Sequence, residues 1–185
     1  MKRSIIALSL ILILVLSLSS CFGGNVQQEY KTLNELASNL TDVSSITIRT
    51  TSPDSHVASD SYSYRPDGTY FYQSARLNGF TSNGDGYDIP DEYFEIVEKT
   101  LSVEEFNALD LVPTFNFSST ALANGAVHAG SLTADIINTT EFFGKELDVT
   151  NVQLTVRYDA TAINSITINY TSDNGNNVII TYAFQ

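Results

Sequence analysis

From Val26 to Leu40 the apolar residues Val26, Tyr30, Leu33, Ala37 and Leu40 recur at helical spacing, while Gln27, Glu29, Lys31, Asn34 and Glu35 fill the other face. This pattern predicts an amphipathic helix that covers a sheet. The period then drops to two. In "SSITIRTT" Ile46 and Ile48 alternate with polar residues, and in "ASDSYSYRPDGTYFYQSAR" tyrosines alternate on both sides of "RPDG". Pro66 and Gly68 suit a tight turn, so the segment predicts a hairpin that brings Tyr62 and Tyr64 near Tyr70 and Tyr72. Further on, "PDEYFEIVEKT" opens at Pro90 with Tyr93 or Phe94, Val97 and Leu101 toward one side. It predicts a short helix, and Ser102 with Glu105 forms a capping box that starts a second.

Beyond Pro113 the strand pattern returns in "TFNFSSTAL" and "AVHAGSLTADII", with a short polar or helical piece near "NTTEFFGKEL". The clearest alternation comes last. Val152, Leu154, Val156 and Tyr158 share a face, then Ile166, Ile168 and Tyr170, then Val178, Ile180, Tyr182 and Phe184, with "SDNGN" turning between the last two. These segments predict three strands of an antiparallel meander. Helix, strands, helical insertion and strands in one chain make an α+β domain over residues 26–185.

The first twenty residues, "MKRSIIALSLILILVLSLSS", are of another kind: two cations, then an apolar run. The run falls short of the roughly 20 apolar residues that a spanning helix needs, and its layout is that of a signal peptide over residues 1–20. The single cysteine, Cys21, follows directly. "LSSC", Leu18 to Cys21, resembles the lipobox of bacterial lipoproteins. That resemblance implies cleavage before Cys21, a diacylglycerol on its thiol, and a lipid-anchored place on the extracytoplasmic face of a cell membrane. Two acyl chains suffice for stable anchoring. Residues 21–25 would form the lipidated cysteine and a short tether.

The order of elements resembles the half-barrel folds of the lipoprotein-carrier (LolA-like) family. The resemblance implies an antiparallel sheet curved into a half-barrel, covered by the N-terminal helix and the central helical insertion, with an apolar, lipid-like ligand between sheet and helices. Tyr62, Tyr64, Tyr70, Tyr72, Phe115 and Phe117 are the candidate lining. The alternative is a structural or protein-contacting envelope lipoprotein whose core is filled by its own side chains. For the aromatic stripe itself, ordinary sheet packing is the simpler expectation.

Charge and chemistry narrow the classes. The formal charge is −12, and removing the signal peptide takes away two cations to leave −14. So acidic a domain repels nucleic acid and anionic head groups, which leaves a lipid ligand or an envelope protein as the partner. "TSNGDGYDIPDE" places Asn83, Asp85, Gly86, Tyr87 and Glu92 at the third, fifth, sixth, seventh and twelfth positions of a calcium loop. Thr81 stands where the first aspartate belongs, and Pro90 restricts the exit. The same letters make a turn feeding a helix, with Asp88, Asp91 and Glu92 near its positive end, and these departures favour that reading over a weak calcium site. The chain has two histidines, His56 and His128, and lacks HExxH, CxxC, nucleophile-elbow and phosphate-loop patterns. The expectation is a binding protein with no catalytic residues and no obligatory cofactor.

Overall fold

A computed structural model describes residues 25–40, 44–52, 56–77, 94–173 and 175–185. Helix α1 (Val26–Ala37) is followed by strands β1 (Ser45–Ser52), β2 (His56–Tyr64), β3 (Tyr70–Leu77) and β4 (Phe94–Leu101). Helix α2 (Val103–Asn107), strands β5 (Leu122–His128) and β6 (Ser131–Ile136), and helix α3 (Thr139–Phe143) come next. Strands β7 (Thr150–Tyr158), β8 (Ile163–Thr171) and β9 (Asn177–Phe184) complete the chain. All nine strands form one open antiparallel sheet in the order β4-β3-β2-β1-β9-β8-β7-β6-β5. The fold is α+β and mostly sheet.

Two meanders, β1 to β4 and β5 to β9, are thus joined side by side where β1 pairs with β9, Ile48 opposite Tyr182. This topology forces the β4–β5 connection to travel from one edge of the sheet to the other, eight strand spacings or about 38 Å. It carries α2 and then an extended piece, residues 111–117, across the inner face.

The helical insertion expected after Pro90 is corrected here. Residues 94–101 form the edge strand β4, paired with β3 from Leu77 opposite Phe94 to Tyr70 opposite Leu101. Ile96, Val97 and Thr100 are β-branched and favour a pleated strand. Of the expected apolar side, Leu101 is buried, whereas Val97 is 44% exposed. The capping box at Ser102 does form, Ser102 N–H donating to Glu105 and Glu105 N–H to Ser102, but it starts a helix of only five residues.

Two other segments differ from the expected pattern. "TFNFSSTAL" does alternate, with Phe115 and Phe117 buried and Thr114 and Asn116 exposed, yet the segment joins no strand before β5 begins at Leu122. Its backbone is satisfied otherwise: Asn34 of α1 donates to the Phe117 carbonyl (2.7 Å) and accepts from the Phe117 amide (2.9 Å). "AVHAGSLTADII" is a hairpin, because Ala129 and Gly130 take positive φ (37° and 77°) and turn β5 into β6.

The core lies between α1, the connection and β5 to β9. Leu33, Phe117, Phe142, Leu132, Leu154, Val156, Ile163 and Ile166 are its largest fully buried side chains. Helix α1, capped by Asn25, lies against β5 and β8 and presents Tyr30, Leu33 and Leu36 to this cluster. Its approach depends on Gly125, where a Cβ would stand 2.6 Å from the Tyr30 hydroxyl and 2.8 Å from Val26.

Candidate functional site

The register of β2 and β3 places Tyr62 opposite Tyr72 and Tyr64 opposite Tyr70, on the same side of the sheet as Ile46 and Ile48. The expected proximity of the four tyrosines is observed. Ring centroids lie 4.9 Å apart for Tyr62 and Tyr72 and 5.2 Å for Tyr64 and Tyr70. Phe106 of α2 closes the group, stacked on Tyr70 at 3.7 Å and 5.7 Å from Tyr62. These rings spend their apolar surface on one another.

Behind them the face turns polar. Asp60 accepts a hydrogen bond from the Tyr72 hydroxyl (2.9 Å) and pairs with Arg76 (3.2 Å), while the Lys99 ammonium sits 5.1 Å from the centre of the Tyr72 ring. Burial, with Tyr72 and Asp60 adding to it, pushes the Tyr62 hydroxyl up to about 12. Tyr62 is therefore neutral at any physiological pH.

Phe115 and Phe117 lie elsewhere. Both are core residues, 5% and 1% exposed, and they pack edge-on or tilted against Phe142, with Phe115 also near Phe143 and Tyr182. The connection carries Phe106 over the tyrosines and delivers Phe115 and Phe117 to the α1 side. The six expected lining residues thus form two separate clusters, the phenylalanines buried in the core and the tyrosines packed on one another with Tyr64 51% exposed.

An apolar opening does exist, in a different place. A cleft of about 170 Å³ is floored by Val152, Ile168, Tyr170, Ile180 and Tyr182 and walled by Pro113, by Phe143 at the end of α3 and by Leu147 and Val149 after it. Its floor is the predicted apolar face of β7, β8 and β9, beyond the reach of α1. Burial, with Tyr170 next in importance, raises the Tyr182 hydroxyl above its ordinary value, so it too is neutral. Lys145 is the one cation among the described residues of the cleft wall. Alternation in the strands gave the floor residues; the wall depends on Gly144, whose left-handed φ of 72° ends α3 and turns the chain over the sheet. A larger hollow, about 470 Å³, lies beside α1 but is open and lined mostly by polar residues such as Gln27, Lys31, Asn34 and Glu35.

Several expectations fall on residues outside those described: Cys21 with its signal segment, and the loop ligands Asn83, Asp85, Tyr87 and Glu92. Among the described residues, no three His, Cys, Asp or Glu side chains gather as a metal site. Nor is any helix there long and apolar enough to cross a membrane. His128 is exposed beside the β5–β6 turn.

No family model matches the chain, and no curated protein matches it. Among solved structures it is similar to a redesigned β-barrel at 14% identity, covering 81% of this chain and 95% of the other with a TM-score of 0.23. A redesigned β-barrel bound to DFHBI gives 14% identity, 80% and 97% coverage and a TM-score of 0.24. The dehydratase domain from the CurF module of curacin polyketide synthase gives 7%, 89% and 83%, and 0.22. Likenesses this slight carry no argument about fold, ligand or activity.

Proposed function

We propose that this chain is a cell-envelope lipoprotein, anchored through Cys21, whose open sheet acts as a half-barrel that binds an apolar chain without transforming it. The observation that carries the reading is the cleft over β7 to β9. Aliphatic and aromatic side chains line it, and such surface is covered in folded proteins unless something else is to cover it. At about 170 Å³ it is smaller than the roughly 300 to 1,000 Å³ of drug-sized pockets, so it suits one stretch of a hydrocarbon tail and not a whole lipid.

The test is native mass spectrometry of the chain from Phe22, made without its anchor in cells with ordinary membranes. A lipid adduct is expected on the parent and on Tyr64→Ala, and its loss on Ile180→Trp, which fills the cleft. An adduct that survives Ile180→Trp would refute the site. The anchor has its own check: Cys21→Ala should release the protein from membranes.

A second reading is favoured by one observation, the filled core between α1 and the sheet. A lipoprotein with no interior space serves as a structural or protein-contacting element, and a clean apoprotein mass after incubation with lipid vesicles would favour it.

A further inference from the structure

The two edges of the sheet are protected very differently. At the β5 edge the register with β6 shifts between Ala123 and Ala126, and Asn124 takes a left-handed φ of 53°. Val26 and Tyr30 of α1 stand directly over Gly125. A bulge under a helix is a standard way to stop further pairing. Among the described residues the β4 edge has no such device. Its eight residues pair with β3 without a break, and among the described residues no strand lies on its other side. Residues 95–100 are all exposed, including two aliphatic side chains, Ile96 at 61% and Val97 at 44%.

We propose that β4 is a self-pairing edge, at which a second copy of this chain adds its own β4 antiparallel about a two-fold axis at Val97. The charges on the strand select this arrangement. A two-fold axis normal to the sheet keeps the inner faces together, so each residue meets a partner on the same face. With the axis at Val97, Glu95 lies opposite Lys99 of the second copy and Lys99 opposite its Glu95, while Val97 meets Val97. Opposed side chains in antiparallel strands sit about 4.5 to 5.5 Å apart at Cβ, close enough for both ion pairs. Moving the axis one residue onward sets Glu98 against Glu98, which is repulsive. Moving it one residue back sets Glu95 against Val97 and forfeits both ion pairs. Glu95 and Lys99 thus keep unrelated strands away while matching their own copies in one register. One strand edge buries less than the roughly 1,200 Å² of a standard stable interface, so the pairing is weak in dilute solution and is favoured where copies are crowded on one surface.

Disulfide trapping of the full chain in its native membranes tests this. With Val97→Cys, the two thiols face each other at Cα separations of about 4.5 to 5.5 Å, inside the range a disulfide bridges. Oxidation with copper phenanthroline should give a covalent dimer that the parent chain does not form. With Glu98→Cys, the thiols are offset by two residues and lie about 8 Å apart, beyond that range, and no dimer should form. Adding Glu95→Lys or Lys99→Glu to Val97→Cys sets like charges opposite each other twice and should cut the yield roughly tenfold. The two together should restore it, which also shows that the single variants had not failed by misfolding. Absence of a Val97→Cys dimer, equal trapping at Glu98→Cys, or no rescue by the double swap would each overturn the proposal.

Discussion

Strands β2 to β4 and strands β5 to β9 belong to one sheet, yet their inner faces are built by different rules. Follow one register row across it. Leu132, Val156 and Ile166 are fully buried, Tyr182 and Ile48 are half-buried, and then the row continues into Asp60, Ser74 and Val97. In the first part, apolar side chains meet α1 and the crossing connection. In the second, stacked rings and the Asp60–Arg76 ion pair replace aliphatic packing, and residues 95–100 of the last strand are exposed. A continuous hydrogen-bonded ladder therefore does not imply a continuous core. Stability should be concentrated where burial is.

The sharpest way to break that contrast is truncation on both sides. Phe142→Ala removes a fully buried ring at the centre of the Phe115, Phe117 and Phe143 cluster and should cost about 3 to 5 kcal/mol. Phe106→Ala, which removes a half-buried ring from Tyr70 and Tyr62, should cost about 1 to 2 kcal/mol. Denaturant midpoints measure both, and equal losses would erase the distinction.

Asp60→Asn is a smaller probe, confined to the β2–β4 side. It removes the charge that holds Arg76 and weakens the acceptor for the Tyr72 hydroxyl, for an expected loss of about 1 kcal/mol. A loss as large as that of Phe142→Ala would mean that the polar face carries more of the fold than burial indicates.

Acid offers the gentlest probe, and it acts on the other side. Hydrogen bonds from Thr161, from the Thr161 and Ala162 amides and from Asn164 hold the Asp159 carboxyl down at about 2. Thr120 and then Ser118 hold Glu141 below the usual carboxylate range. Both are depressed in the folded state, so the stability they contribute is complete above about pH 5 and is lost as pH falls toward 2. Thermal midpoints between pH 5 and pH 2 should decline over that window, and less steeply in Asp159→Asn.

The same contrast explains what could be read from the chain. Strands β7 to β9 were legible because one buried face imposes strict alternation on Val152 to Val156, Ile166 to Tyr170 and Val178 to Phe184. Strand β4 was not, since an edge with nearly everything exposed imposes no period, and Pro90 and Ser102 frame it with helix signals. The meeting of β1 with β9 left no local trace either, because it joins residues more than a hundred positions apart. The cleft was half legible: its floor follows from alternation, while its wall depends on where α3 ends and how the chain turns at Gly144. Phe115 and Phe117, expected as ligand lining, lie buried against Phe142, because the connection that carries them crosses the sheet.

Hydrogen exchange of the chain from Phe22, with and without phosphatidylcholine vesicles, tests the account most directly. Without lipid, amides of β6 to β9 should exchange most slowly, and those of β3 and β4 orders of magnitude faster. With lipid, added protection should fall on residues 145–149 and on β8 and β9 around Ile168 and Ile180. Uniform protection across the sheet, or lipid-induced protection on β2 to β4 in place of the cleft, would contradict it.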